Sequence, residues 1–202
     1  MKGSASRGQP RREAIAQAAL QVFLERGFGA SVDDVAHVAG ASKQTIYKFF
    51  GGREGLIRAA MRSELEAVIG PMRLAAEFDG SPQERLERFA QAYQDTLFAD
   101  NCLAMYRFVI GATREHPSLS AAFNETVVDY ITGLVGPAVA EATGTTPSRA
   151  RELTEMYLGI LQGAELNRAL AGLPVHAGRL AALRADAVRA VVASTSRMAS
   201  AP

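Results

Sequence analysis

Apolar residues recur along this chain at steps of three and four, the spacing that gathers them on one face of an α-helix. Ile15, Ala18, Ala19, Val22 and Phe23 set the first such stripe, and Gly27 after Arg26 ends it as a left-handed terminal residue would. Ser31 has the chemistry to cap a second helix, with Asp33 and Asp34 at its positive end and Val32, Val35, Ala36 and Ala39 inside. Gly40 breaks that helix, and Ser42 is placed to cap a third, very short one ending near Phe50. A longer helix runs from Arg53 to about Glu77, and Ser81-Pro82-Gln83-Glu84 then spells a capping box with proline at the first position. Further helices are expected from Asn101 through Ala112, after His116-Pro117, from Thr146-Pro147 to Gly172, and from Val175 to Ser196. A kink or break is expected at Gly133 and Gly136-Pro137. With no alternating strand pattern, the fold class is all-α, with about nine helices.

Composition narrows what such a bundle does. The 202 residues are 48% hydrophobic and 21% charged, the balance of an ordinary globular protein. No apolar run is long enough to span a bilayer, and the polar start lacks a secretory core, so no membrane role is expected and a cytoplasmic location is. One cysteine, Cys102, and three scattered histidines, His37, His116 and His176, leave no metal or disulfide framework, and no cofactor is expected. Cys102 is read as a small buried apolar residue, and His116 as a helix-entry residue. The net charge of +1 conceals an asymmetry: residues 1–62 carry ten Lys/Arg against five Asp/Glu, while the remainder carry twelve against sixteen. A basic front on a mildly acidic body points to a polyanion partner for the front.

Residues 31–50 concentrate the chemistry. Two helices joined by Ala39-Gly40-Ala41-Ser42 must cross sharply. In the second of them Ile46, Phe49 and Phe50 form an inward stripe, leaving Gln44, Tyr47 and Lys48 outward with Lys43 and Thr45 beside them. Such a face suits the major groove of double-stranded DNA. Lys43 and Lys48 fit phosphate oxygens, and the Tyr47 and Thr45 hydroxyls can donate to them. Gln44 has the paired donor and acceptor that reads an adenine edge. The hydroxyls of Ser31 and Ser42 either bind phosphate or simply cap.

Gly27-Phe28, Ser31-Val32-Asp33-Asp34-Val35-Ala36, Ala39 through Lys43, Thr45 through Phe50 and Arg53-Glu54-Gly55-Leu56 together resemble the DNA-binding domain of the tetracycline-repressor (TetR) family. The likeness runs continuously over residues 11–58, and Gln44 stands where many members carry a small residue. Beyond it the chain resembles the family in layout, and Glu115-His116-Pro117-Ser118-Leu119 with Phe123 is similar to a C-terminal type found among such regulators. The resemblance implies a flexible basic arm at 1–10, a helix-turn-helix domain at 11–52, and a helical effector-binding and dimerisation body at 53–198. It also implies a ligand-responsive regulator, by family default a repressor, that grips a near-palindromic operator as a homodimer. Its effector is expected to be a small, apolar molecule.

Candidate ligand-lining residues are Phe89, Tyr93, Met105, Tyr106, Phe108, Phe123, Tyr130 and Tyr157, with Phe78, Phe98 and Met156 behind them. Aromatics at helical spacing equally build plain core. Arg107, Asn124, Gln162 and Glu165 could orient a ligand, sit at a subunit seam or face water. For the dimer, Leu153, Met156, Tyr157, Ile160, Leu161 and Ala164 trace one helix face, and Leu180, Leu183, Ala187 and Val191 another; either face could instead close the monomer's core. Two alternatives stay open: a DNA reader whose body takes a protein partner or no small effector, and an enzyme. The enzyme is disfavoured, since no Gly-x-Ser-x-Gly elbow, phosphate-cradling glycine loop or His-Glu-x-x-His motif occurs.

Overall fold

Capping chemistry and glycine placement divide the chain into helices, as a computed structural model describes them for residues 5–114 and 117–194. The order is α1 (Ala5–Arg26), a single 3₁₀ turn (Gly27–Gly29), α2 (Val32–Val38), α3 (Lys43–Phe50), α4 (Arg53–Ala76), α5 (Pro82–Leu97), α6 (Asp100–Ala112), α7 (Pro117–Thr143), α8 (Pro147–Leu170) and α9 (Ala177–Ala193). No strand occurs among the described residues. The backbone of α1 takes in residues 5–10, the greater part of the stretch read as an arm.

Most boundaries follow the expected local signals. Gly27 and Gly40 adopt φ of +71° and +57°, values that only a residue without a Cβ reaches cheaply. Ser81 accepts from the Glu84 N–H at 3.3 Å, and its own N–H donates to the Glu84 carboxylate at 2.8 Å, completing the capping box of α5. Thr146 caps α8, with Pro147 at the first position. The expected break in α7 is absent: the helix passes through Gly133, Gly136 and Pro137 without interruption. The interruption lies instead in α8, where Gly163 takes φ 50° and ψ −161°. A Cβ there would stand 2.8 Å from Leu183 Cδ1, so close packing against α9 is tied to the distorted backbone.

Two compact units result. One takes in the chain up to Ala67 and returns for Ala104–Asn124; the other holds Val68–Leu103 and the chain from Glu125 onward. The core of the first is built by Ile15, Ala19, Val22 and Phe23 of α1, Val32 and Val35 of α2, Ile46 of α3, Leu56 and Ile57 of α4, and Met105 and Phe108 of α6. Phe23 and Phe108 lie 5.9 Å apart between ring centres, within the range of a favourable aromatic pair.

In the second unit α8 packs on α9, and both pack on α5. Phe89 stacks on Tyr93 at 6.1 Å and meets Tyr157 at 6.4 Å. The buried Tyr157 hydroxyl donates to the Leu86 carbonyl at 2.5 Å. Gln94, also buried, donates to the Leu161 carbonyl at 2.8 Å, an acceptor just before the Gly163 break, and accepts from Arg184 at 2.7 Å. Polar groups inside are thus partnered where the helix ladder is interrupted.

Candidate nucleic-acid interface

The short helix α3 is positioned by what lies behind it. Ile46 is fully buried, while Phe49 and Phe50 are half-buried against the same core. Arg12 of α1 places its guanidinium 5.2 Å from the centre of the Phe50 ring. The remaining face is open: Gln44 and Lys48 are exposed, and Tyr47 retains 48% of its surface. Burying so large an aromatic would ordinarily stabilise a fold by about 1.5–3 kcal/mol, so its exposure costs stability that packing could have supplied. Gly51, with φ 74°, closes α3 by donating its N–H to the Tyr47 carbonyl at 2.8 Å.

Each helix of the pair is capped at its start. Ser31 accepts from the Asp34 N–H at 3.1 Å, and its N–H and hydroxyl donate to Asp34 Oδ2 at 2.8 and 2.6 Å. Arg26 reaches the other oxygen of Asp34 at 2.6 Å. The hydrogen bonds from Ser31, and then the Arg26 charge, hold the Asp34 carboxyl below its ordinary range. At α3, Ser42 accepts from the Thr45 N–H at 3.1 Å, and the two hydroxyls lie 2.8 Å apart. Of their two expected roles, capping is the one that Ser31 and Ser42 occupy here. Lys43 Nζ is 2.8 Å from Asp33 Oδ2, a hydrogen bond and charge pair that raise the lysine's affinity for its proton.

Two contacts that the pattern along the chain did not reveal fix the surroundings. Arg53 donates from Nε and Nη2 to the Ala30 carbonyl, each at 3.3 Å, and sets its guanidinium 5.8 Å from the Phe23 ring centre. Gly55 lies hard against the carbonyl of Phe50, allowing α4 to start immediately behind α3. The Asp33–Lys43 pair was equally hidden, because its members stand ten residues apart across a turn.

The expected ligand-lining residues do not form one group. Met105 and Phe108 belong to the core of the first unit. Phe89, Tyr93 and Tyr157 belong to the second, each with at most 3% of its surface exposed. Desolvation pushes the Tyr93 hydroxyl up to about 12, partly opposed by its hydrogen bond from Gln162 at 2.8 Å, so it stays protonated. Tyr106 and Phe98 are half-buried, and exposed Tyr130 accepts from Arg73 at 2.8 Å. Phe78 carries the Arg88 guanidinium 3.7 Å from its ring centre. Glu115 and His116, and the side chains of Phe123 and Asn124, lie outside the described residues. A groove of about 530 Å³ between α7 and α8, bounded by Thr132, Pro137, Ala150 and Arg151, includes none of the expected lining residues. Glu165 is buried, receiving the His176 N–H at 3.2 Å and Arg179 at 3.3 Å, which makes it a tie between α8 and the start of α9. Cys102 is half-buried.

The expected seam residues also separate. Leu153, Tyr157, Leu161, Ala187 and Val191 are spent on the core of their own chain and have almost no surface left to give. Met156, Ile160 and Ala164, four residues apart on α8, remain exposed or half-buried, as do Leu180 and Leu183 of α9. Among the described residues, no three of His, Cys, Asp and Glu gather to hold a metal ion, and no helix is long and apolar enough to cross a membrane.

The stretch from α1 to the start of α4 also matches a family model. Residues 15–60 fit the model for bacterial regulatory proteins of the tetR family. An HTH-type transcriptional activator, FasR of Mycolicibacterium smegmatis, is 25% identical over 70% of this chain and 64% of its own length. A DNA-binding transcriptional repressor, TetR of Mycobacteroides abscessus, is 32% identical over 50% of this chain and 55% of its own. The chain thus spans little more than half the length of these curated relatives. The fold is shared with a TetR-family transcriptional regulator from Mesorhizobium loti, with a TM-score of 0.76 at 23% identity, covering 96% of this chain and 98% of that one. A capped pair of helices with an outward polar face and a matching family model lead to one assignment: residues 15–60 carry the DNA-binding domain of the tetR family of bacterial regulatory proteins, on a chain whose fold is shared nearly end to end with a regulator of that family.

Proposed function

We propose that the protein regulates transcription by inserting α3 into the major groove of double-stranded DNA. The observation that carries this reading is the division of α3, with Ile46 fully buried and Gln44, Tyr47 and Lys48 facing outward. Lys48 supplies a phosphate contact, Tyr47 packs on sugar and donates to phosphate, and Gln44 reads a base edge. The caps Ser31 and Ser42, with Thr45 and Lys43, border that contact. Two readers one helical turn apart, roughly 34 Å, match the symmetry of a near-palindromic operator.

The protein acts as a homodimer on this reading, through the exposed side of α8 (Met156, Ile160, Ala164) and the outer face of α9 beside it. A small effector held in the body weakens DNA binding, and a coupling of about 1–3 kcal/mol suffices for a 5–150-fold response. Repression is the simplest consequence, because a bound dimer obstructs the promoter it covers; the relatives include both an activator and a repressor. Work on DNA places the protein in the cytoplasm.

Gel-shift titration against the DNA flanking its own gene tests this. A salt-sensitive, sequence-preferring complex supports the reading, and its absence removes it. Sedimentation of the wild type and of Met156→Glu tests the seam, with the variant expected to be monomeric.

A second reading keeps the DNA reader but gives the body a protein partner or no small effector. It is favoured by the mutual packing of Phe89, Tyr93 and Tyr157, which leaves these side chains committed to core. A thermal-shift screen with apolar small molecules separates the two: a stabiliser that also releases DNA supports the first, and none supports the second.

A further inference from the structure

The Lys43 ammonium does not stand free beside the reading face. It is held 2.8 Å from Asp33 Oδ2, and both side chains stay more than half exposed, at 53% and 65%. The pair joins the start of α2 to the start of α3. Lys43 is the first residue of α3, where the positive end of the helix dipole disfavours a cation. A carboxylate alongside offsets that, so Asp33 makes the placement tolerable.

We infer that Asp33 is a built-in competitor of the DNA backbone for Lys43, setting how tightly, and with what salt dependence, the reader grips any duplex. The inference rests on the DNA-reading function proposed above. A lysine that goes to phosphate must leave its carboxylate, and that carboxylate then stands beside phosphates unneutralised. One ion pair is exchanged for another at about equal worth, and no further counterion is released for Lys43. Asp34 differs: Ser31 and Arg26 occupy both of its oxygens, so it offers Lys43 nothing. Lys48, for which no acidic partner is found among the described residues, carries the phosphate contact outright. Because phosphate contacts carry no sequence information, Asp33 governs absolute affinity and leaves preference between sequences unchanged.

The test is a salt titration of full-length protein on a labelled random-sequence duplex, read by fluorescence anisotropy. Asp33→Asn keeps the side-chain shape and removes the charge. It is expected to bind up to roughly fivefold tighter, the span of an exposed ion pair, with a log K against log salt slope steeper by about 0.9. Adding Lys43→Met to Asp33→Asn should return both quantities to the wild-type values. Unchanged or weaker binding by Asp33→Asn would overturn the inference and leave the pair as a latch between helices. So would a gain that survives in the double variant, since it would then come from removing repulsion alone. Lys48→Ala is the control: a shallower slope in that variant upholds the DNA-reading function whatever Asp33 does. Wild-type protein that shows no salt-sensitive binding would overturn both.

Discussion

Gly55, in the first turn of α4, lies so close to Phe50 that a Cβ on it would stand 1.8 Å from the Phe50 carbonyl oxygen. Phe50 ends α3 and Gly55 is the third residue of α4, so this contact sets how tightly α4 folds back behind α3. Alanine in a helix interior normally stabilises relative to glycine by about 0.5–1 kcal/mol. Here the neighbour is backbone and cannot rotate away. Gly55→Ala is therefore expected to destabilise by about 1–3 kcal/mol and to weaken DNA binding with it. Gly111→Ala in α6 meets nothing within 4 Å and should show the ordinary gain; chemical denaturation of both variants makes the comparison.

Folding and contact should separate within α3. Ile46→Ala removes a fully buried side chain and is expected to cost about 2–5 kcal/mol in denaturant unfolding. Tyr47→Ala and Lys48→Ala change exposed positions, so stability should stay within about 0.5 kcal/mol of wild type. Their loss should appear in DNA affinity, measured by anisotropy. A fall in melting temperature for Tyr47→Ala would show that its ring supports the fold.

Acid should loosen the tie between α8 and α9. The His176 N–H, then Arg179 and Arg168, hold the Glu165 carboxyl below its ordinary value near 4.5. A carboxyl lowered in the folded state contributes stability that is fully present above the unfolded pKa and is lost as pH falls through the folded one. Thermal unfolding of the wild type should therefore weaken below about pH 4.5. Glu165→Gln should melt lower at neutral pH and lose part of that acid dependence. An unchanged acid limb in the variant would place the sensitivity elsewhere.

The break in α8 makes a further demand. Gly163 combines φ 50° with a neighbour, Leu183 Cδ1, 2.8 Å from any added Cβ. Gly163→Ala should destabilise by more than about 1 kcal/mol, since both the backbone and the packing oppose it. Combining it with Leu183→Ala relieves only the packing. A double-mutant cycle on denaturant unfolding should thus show non-additivity of about 0.5–3 kcal/mol.

Much of the helix layout could be read from the residues in order. Ser31, Ser42, Ser81 and Thr146 start helices because a side-chain oxygen answers an N–H only three residues away. Gly27 and Gly40 stop or turn the chain because their backbone angles are local properties. The outward set on α3 followed from the helical period once Ile46, Phe49 and Phe50 were assigned inward. Pro137 misled, because a proline's missing N–H weakens a helix without obliging it to end. Met105 and Phe108 fall in the core of the first unit, a placement that periodicity could not give, because it marks a buried face without naming what buries it.

Most helix starts, their caps and the polar face of α3 were legible in the residues alone, because interactions within about four residues set them. Tertiary structure decided which partner each face met. It paired Asp33 with Lys43, brought Gly55 against Phe50, opened α8 at Gly163 against Leu183, and divided the aromatics between two cores. These contacts join residues distant along the chain, and only closing the chain into three dimensions selects among the many such pairings that local chemistry leaves equal.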